Sequence, residues 1–371
     1  MGTGKILKSE DVGTGSSLGR NMSRRDALGL GGRAFGVAAL AGLSMKGLLG
    51  NALPFAGPEA TVMPSGVVNF QLNWLINVQF GGSFLAAQRG YYKQAGITVN
   101  IVPGGPNVNV EPLVVQGKAE VGISPIEALA SARTAGADLV AIGATWQVNP
   151  NCFISLASDP VKTPQEMVGK KVGVPSDSVQ IVQGFLKANG VSPSAVTIVP
   201  VQFDPTPLAD KEVEVYFGII TSEPIQLQLK GVKTYSMLLA DFGEPELTEL
   251  YITTTSALKD PQKRANLKAF LEAEIRGWQD FVANPSSAVN LAVNVYGKSL
   301  HLDAQEQTLE AEAQAKITVS PYTATHGLLT MGPADIARSL KTLKLEGLSA
   351  TAAMFDSSLL EEIYAGKSHL S

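Results

Sequence analysis

The chain has 371 residues, 45% of them hydrophobic and 17% charged, with a formal net charge of −4, enough to bury a large core in two domains or lobes. A pI near 5.6, with no dense Lys/Arg stripe, excludes the basic footprint of a nucleic-acid binder. The single cysteine, Cys152, excludes an internal disulfide framework and a Cys-rich zinc site.

Residues 1–22 are polar and rich in Gly and Ser, and read as a disordered start. Ser23-Arg24-Arg25-Asp26 and Leu28 lead into a Gly/Ala/Leu/Val stretch that ends in small residues around Pro54 and Ala56, the order of an export signal. It resembles a twin-arginine signal in part, because Ala27 replaces the usual bulky residue and Arg33 sits inside the apolar region. An amphipathic helix or anchor is the other reading of this segment. Sites near Ala52 and Ala56 both suit cleavage, and no cysteine follows for lipid attachment. Beyond it, no run of about twenty apolar residues predicts a membrane span.

From Val67 strands and helices alternate. Strands are predicted at 68–72, 98–102, 121–123 and 139–145, with helices at 84–91, 110–116 and 125–134 between them. A second series has strands at 171–174, 196–201, 213–217 and 234–239, with helices at 179–188 and 223–230. Such alternation implies two units of parallel strands crossed by helices. After a strand near 251–255 the chain reads as helical. Leu267, Phe270, Leu271, Ile275, Trp278 and Phe281 keep helical spacing and assign Trp278 to the core. Asp303 with Glu306 suggests a capping box, Pro333 and Gly347 bracket a further helix, and Asp356 caps the last.

Catalytic apparatus is not apparent. His301, His326 and His369 have no partners at metal-ligand spacing, and there is no HExxH, GxSxG, Walker or strand-linked GxGxxG motif. Carboxylates such as Glu111, Glu127, Glu223 and Asp177 stand at helix starts, where acids commonly cap. The strand ends carry binding chemistry instead, at the edge of the sheet where α/β proteins hold ligands. Asn73, Trp74, Asn77 and Gln79 follow the first strand; Gly105 and Asn107 lie in Pro103-Gly104-Gly105-Pro106-Asn107; Ser124, Glu127 and Trp146 follow the next strands. Ser176, Asp177, Ser178 and Glu223 occupy the equivalent places in the second series. Aromatic faces with amides, hydroxyls and a few acids suit a flat, uncharged or weakly basic heterocycle. Each also has a plain structural reading: Ser124 and Ser178 as caps, Gly105 as a turn, and Trp74 or Trp146 as core.

"AAQRGYYKQAGITV", "PGGPNVNV", "GKAEVGISP", "KTPQEMVGKKVGVPSDS" and "EPIQLQLKGV" together resemble the periplasmic substrate-binding proteins of ABC importers, in the NMT1/THI5-like branch. The likeness runs to "LTMGPADIARSLKTLKLEGL" and "MFDSSLLEEI". It implies an α/β periplasmic-binding-protein type II fold, with two hinged lobes closing on a ligand in the cleft between them. Residues 67–155 with 245–371 would form lobe one and 156–244 lobe two, after a start and export signal over 1–56. In such a protein Trp74 would stack on the ligand, Asn73, Asn77 and Gln79 would bond to it, and Ser176, Asp177, Ser178 and Glu223 would face it from lobe two. The resemblance further implies a monomeric, exported, non-enzymatic protein without cofactor, delivering a pyrimidine thiamine precursor or a riboflavin-like molecule to a membrane permease. Sulfonate, taurine or nitrate binding, and a pyrimidine-precursor synthase with a cofactor held on a lysine such as Lys93 or Lys118, remain the alternatives. A sensor-type binding module is a third. The missing Arg and Lys at the strand ends argue against an anion.

Overall fold

The computed structural model describes residues 62–370; the export-signal reading falls outside them. Two five-stranded sheets organise the described chain. The first contains β1 (Val67–Gln71), β2 (Thr98–Val102), β3 (Val121–Ser124), β4 (Val140–Trp146) and β10 (Thr248–Thr253), in the order β2-β1-β3-β10-β4. The second contains β5 (Asn151–Leu156), β6 (Lys171–Pro175), β7 (Thr197–Val201), β8 (Val215–Ile219) and β9 (Thr234–Leu238), in the order β7-β6-β8-β5-β9.

The α/β class agrees with the sequence reading, but the sheets are mixed. β1 runs parallel to β2 and β3, and β6 parallel to β7 and β8, as strand–helix alternation requires. β10 instead runs antiparallel between β3 and β4, and β5 antiparallel between β8 and β9. Both are the first strands formed after the chain passes from one sheet to the other, through residues 147–150 and then 239–247. No crossover helix precedes either one, so the pattern that predicts parallel strands does not apply to them. β5 was not expected, because Asn151-Cys152-Phe153-Ile154 follows β4 after only four residues.

The helices are α1 (Gly81–Gln88), α2 (Tyr91–Gln94), α3 (Val110–Val115), α4 (Ile126–Thr134), α5 (Val179–Ala188), α6 (Thr206–Ala209) and α7 (Glu223–Leu229). The C-terminal part adds α8 (Thr255–Lys259), α9 (Pro261–Ala283), α10 (Ala304–Ile317), α11 (Pro321–His326), α12 (Pro333–Leu345) and α13 (Ser358–Tyr364). α9 begins at Pro261, with the Asp260 side chain accepting from the N–H groups of Gln262 and Lys263, so its first-turn donors are satisfied. Its apolar stripe packs on β1, where Phe70 and Phe270 meet edge to face with centroids 5.0 Å apart.

α1 and α9 touch at glycines. A Cβ on Gly277 would lie 2.1 Å from the Gly82 carbonyl oxygen, and one on Gly82 would lie 2.2 Å from the Trp278 ring. Trp278 is 2% exposed, as its place on the stripe predicts. Beside it the fully buried Glu274 accepts hydrogen bonds from Ser83 (2.8 Å), Tyr251 (2.5 Å), Tyr92 and Trp278 Nε1 (3.2 Å). Four donors converging on one carboxylate fix α1, α2, α9 and β10 to one another.

Candidate functional site

A cleft of about 1110 Å³ lies between the two sheets, lined from both. Leu72, just past the end of β1, is fully buried, and the backbone then turns outward through residues 73–77. The turn is braced from below: Gly104 N–H donates to the Trp74 carbonyl (2.9 Å) and Gly105 N–H to that of Asn73 (3.3 Å). A Cβ on Gly104 would come 2.3 Å from the Leu72 carbonyl oxygen, so the two backbones approach this closely only with glycine there. Trp74 projects from this turn and meets Phe203, beyond β7 of the other sheet, edge to face at 5.0 Å.

The amides beside Trp74 are largely engaged within the protein. Asn73 Nδ2 donates to Glu249 Oε1 (2.8 Å) and Gln79 Nε2 to Glu249 Oε2 (2.9 Å). Asn77 Oδ1 accepts from the Gln79 N–H (2.9 Å), capping the turn Val78–Phe80. Gln314 Nε2 on α10 holds the Gln79 carbonyl (2.6 Å), and Gln307 Oε1 accepts from the Val78 N–H (2.7 Å). Four buried atoms of lining residues have no partner among the described residues: Asn73 Oδ1, Trp146 Nε1 and both carboxylate oxygens of Glu346. The first two are an acceptor and a donor available to a ligand.

Of the residues expected at the site, Asn73, Trp74, Asn77, Gln79, Glu127, Trp146, Asp177, Ser178 and Glu223 line the cleft. Gly105, Asn107, Ser124 and Ser176 do not. Gly105 supports the Trp74 turn, Asn107 and Ser176 are exposed, and the buried Ser124 hydroxyl donates to Glu111 (2.5 Å). Ser178 Oγ donates to Asp177 (3.0 Å) just before α5, and the Glu223 carboxylate at the start of α7 accepts from the Ile219 N–H at the end of β8 (2.8 Å).

Three parts of the lining escaped sequence reading: Phe203, Glu249, and the α10 face carrying Glu306, Gln307, Glu310 and Gln314. The polar stripe on α10 repeats every three or four residues, the spacing that puts side chains on one face. Glu249 interrupts the apolar run Leu247-Thr248-Glu249-Leu250-Tyr251-Ile252, and it sits in the left-handed region at φ 52, a conformation uncommon for a residue with a side chain.

The cleft is acidic. Eight of its lining residues are Asp or Glu, from Glu127 on α4 to Glu346 after α12; none is Lys or Arg, and the sole histidine is His301. Against a net charge of −4 for the whole chain, that is a strong local concentration. Burial pushes the carboxyls of Glu223 and Glu249 up to about 7, and burial with neighbouring Glu306 pushes Glu310 up to about 8. Near neutral pH such groups donate or accept according to what faces them.

The family described as NMT1/THI5 like matches residues 77–288, more than half of the chain. The chain belongs to the NMT1/THI5-like family. It is 25% identical over 289 residues to the riboflavin-binding protein RibY of Chloroflexus aurantiacus, covering 75% of this chain and 80% of that one. The formylaminopyrimidine-binding protein of Halalkalibacterium halodurans is 26% identical over 232 residues, 60% of this chain and 69% of its own. This NMT1/THI5-like chain is also 23% identical, over 60% of its length and 72% of the relative's, to a 4-amino-5-hydroxymethyl-2-methylpyrimidine phosphate synthase of Legionella pneumophila. Among solved structures, the periplasmic aliphatic sulphonate binding protein SsuA from Escherichia coli superposes with a TM-score of 0.56 at 15% identity, covering 75% of this chain and 86% of that one. The two-sheet architecture is thus the periplasmic-binding-protein fold, as the sequence motifs implied.

Proposed function

We propose that this protein is the solute-binding subunit of an ABC importer, and that it encloses a small nitrogen heterocycle rich in hydrogen-bond donors or cationic. The observation that carries this reading is the cleft itself, aromatic at Trp74 and Phe203, acidic around them, and without Lys or Arg. A buried sulfonate or nitrate calls for charge-assisted donors, which this lining does not offer. Pyrimidines with exocyclic amines, or the ring system of a flavin, present faces to stack and N–H groups to meet carboxylates. The volume, about 1110 Å³, is a little above the usual range for small-molecule pockets and accommodates a ligand of flavin size. The names of the binding-protein relatives point the same way.

The two sheets act as lobes that hinge at residues 147–150 and 239–247, and the loaded form is handed to a membrane permease. The protein works outside the cytoplasm, in keeping with the leader read from the sequence. Among the described residues no helix is long and apolar enough to cross a membrane.

A synthase on this fold that carries its cofactor on lysine finds no support in the lining, which offers no lysine. Lys93 and Lys118 are both exposed and outside the cleft.

The test is calorimetric titration and thermal shift of the exported chain with hydroxymethylpyrimidine, formylaminopyrimidine, thiamine, riboflavin, taurine, an alkyl sulfonate and nitrate. Binding at 100 times the dissociation constant adds about 2.7 kcal/mol to stability, a clear rise in melting temperature. A response to a heterocycle supports the reading. A response to the anions alone, or turnover of a bound pyrimidine, overturns it.

A further inference from the structure

Where the chain returns to the first sheet, four glutamates gather without a counter-charge. Glu244 and Glu246 lie in the returning segment just before β10, Glu127 in the first turn of α4, and Glu346 at the end of α12. One carboxylate oxygen from each of Glu127, Glu246 and Glu346 lies within 4.8 Å of the others. Glu244 is 0%, Glu246 1% and Glu346 6% exposed. Glu246 Oε1 accepts from Asn149 Nδ2 on the outgoing segment (2.6 Å). Its Oε2, and both oxygens of Glu244 and of Glu346, have no hydrogen-bond partner among the described residues. No ion pair among the described residues involves any of the four.

Buried carboxylates left without donors are far too costly to persist as bare charges. They hold protons or they hold a cation. The donor set is all oxygen, with no histidine or cysteine, which is wrong for zinc. Calcium takes six to eight oxygens at about 2.3–2.6 Å, so oxygens on opposite sides of the ion stand about 4.6–5.2 Å apart. A mutual spacing within 4.8 Å lets all three oxygens reach one calcium ion at these bond lengths, whereas magnesium gives up its waters reluctantly and is seldom held by an all-protein cage. Glu127 and Glu346 also line the cleft, which gives an ion a way in.

We propose that Glu127, Glu246 and Glu346, backed by Glu244, form a calcium site at the junction of the two sheets. Asn149 ties the outgoing segment to Glu246 and, through the Glu244 carbonyl (3.1 Å), to the returning one, so an ion here clamps both connections. The second sheet abuts the same point: a Cβ on Gly184 of α5 would lie 3.1 Å from Glu346 Cα, and Gln180 Nε2 reaches the Glu346 carbonyl (3.4 Å). The ion therefore stiffens the hinge and sets the resting separation of the sheets.

The experiment is calorimetric titration of the chelator-treated, exported chain with calcium chloride, magnesium chloride and zinc chloride, each alone, followed by melting with and without calcium. Calcium is expected to bind one to one, at least tenfold more tightly than magnesium, and to raise the melting temperature. Glu246→Gln and Glu346→Gln each replace a buried carboxyl that must hold a proton or a cation with a neutral amide of the same shape, so in chelator both melt at or above the wild type; in calcium both lose the rise. No heat and no thermal shift at about 10 mM, roughly tenfold above the weakest extracellular-type calcium sites, overturns the proposal. So does tighter binding of zinc than of calcium, or a calcium response unchanged in both variants.

Discussion

Trp74 and Phe203 stand edge to face across the cleft with ring centroids 5.0 Å apart, one on each sheet. Under the proposed function they are the aromatic jaws of the site, and a flat ligand would part them and stack on at least one. Trp74→Ala should weaken heterocycle binding about tenfold or more, aromatic stacking adding about 0.5–1.5 kcal/mol beyond the area buried. Phe203, 40% exposed, should cost less when changed to Ala. Both variants should melt within a few degrees of the wild type. A Trp74→Ala protein that fails to fold would make Trp74 a core residue, as titration and melting of the same samples will show.

Glu249 is the acceptor that orders the Trp74 turn, receiving Asn73 and Gln79 on its two oxygens. Glu249→Ala strands both amides and should cost about 1–2 kcal/mol, or roughly 3–6 °C in melting temperature. The loss is local, so hydrogen exchange should accelerate at Val78–Phe80 while β1 stays protected. Uniform acceleration across the first sheet would contradict the assignment.

The buried acids make an unusual pH dependence. Glu223 and Glu249 titrate near 7, and Glu310 near 8, when folded, against about 4.5 when unfolded. Between those values the folded chain binds more protons than the unfolded one, so stability falls as pH rises, each tenfold difference in proton affinity being worth about 1.4 kcal/mol. The ligand-free protein should melt higher at pH 5 than at pH 8. A cationic ligand reverses the sign for binding: it expels these protons, so affinity should rise from pH 6 to pH 8 and the binding heat should depend on the buffer's ionisation enthalpy. A flat pH profile would show that these carboxyls do not meet the ligand.

Glu274 anchors the framework. Glu274→Ala leaves Ser83, Tyr92, Tyr251 and Trp278 without their shared acceptor and should cost about 3 kcal/mol or more, some 6–12 °C. Gly277→Ala, which drives a methyl to 2.1 Å from the Gly82 carbonyl, should destabilise at least as much, through forced separation of α1 and α9. Denaturant melts measure both, and ligand affinity of the surviving folded fraction should stay close to normal.

Much of this was legible because period-2 and period-3.6 patterns report local burial. β2 and α5 begin and end at the residues their sequence predicts, and Trp278 is core. The order of strands in each sheet was not legible, since β5 and β10 take their places through long-range pairing that leaves no local trace. At the site, sequence could locate amides after β1 but not their partners. Asn77 caps a turn and Gln79 meets Glu249, a residue 170 positions away. Phe203 is an ordinary loop residue until the fold sets it opposite Trp74.

The antiparallel strands have a further consequence, for how the molecule comes into being. As the chain leaves the ribosome, β3 and β4 are made early, yet they are not neighbours; β10 must slot between them. It is synthesised only after every strand of the second sheet. The second sheet likewise waits, since β5 must be flanked by β8 and β9, made some sixty and eighty residues later. No prefix that ends before β10 contains all the strands of the first sheet, and no proteolytic fragment confined to residues 62–244 could reproduce it. The first sheet can therefore close only after the whole of the second has been made.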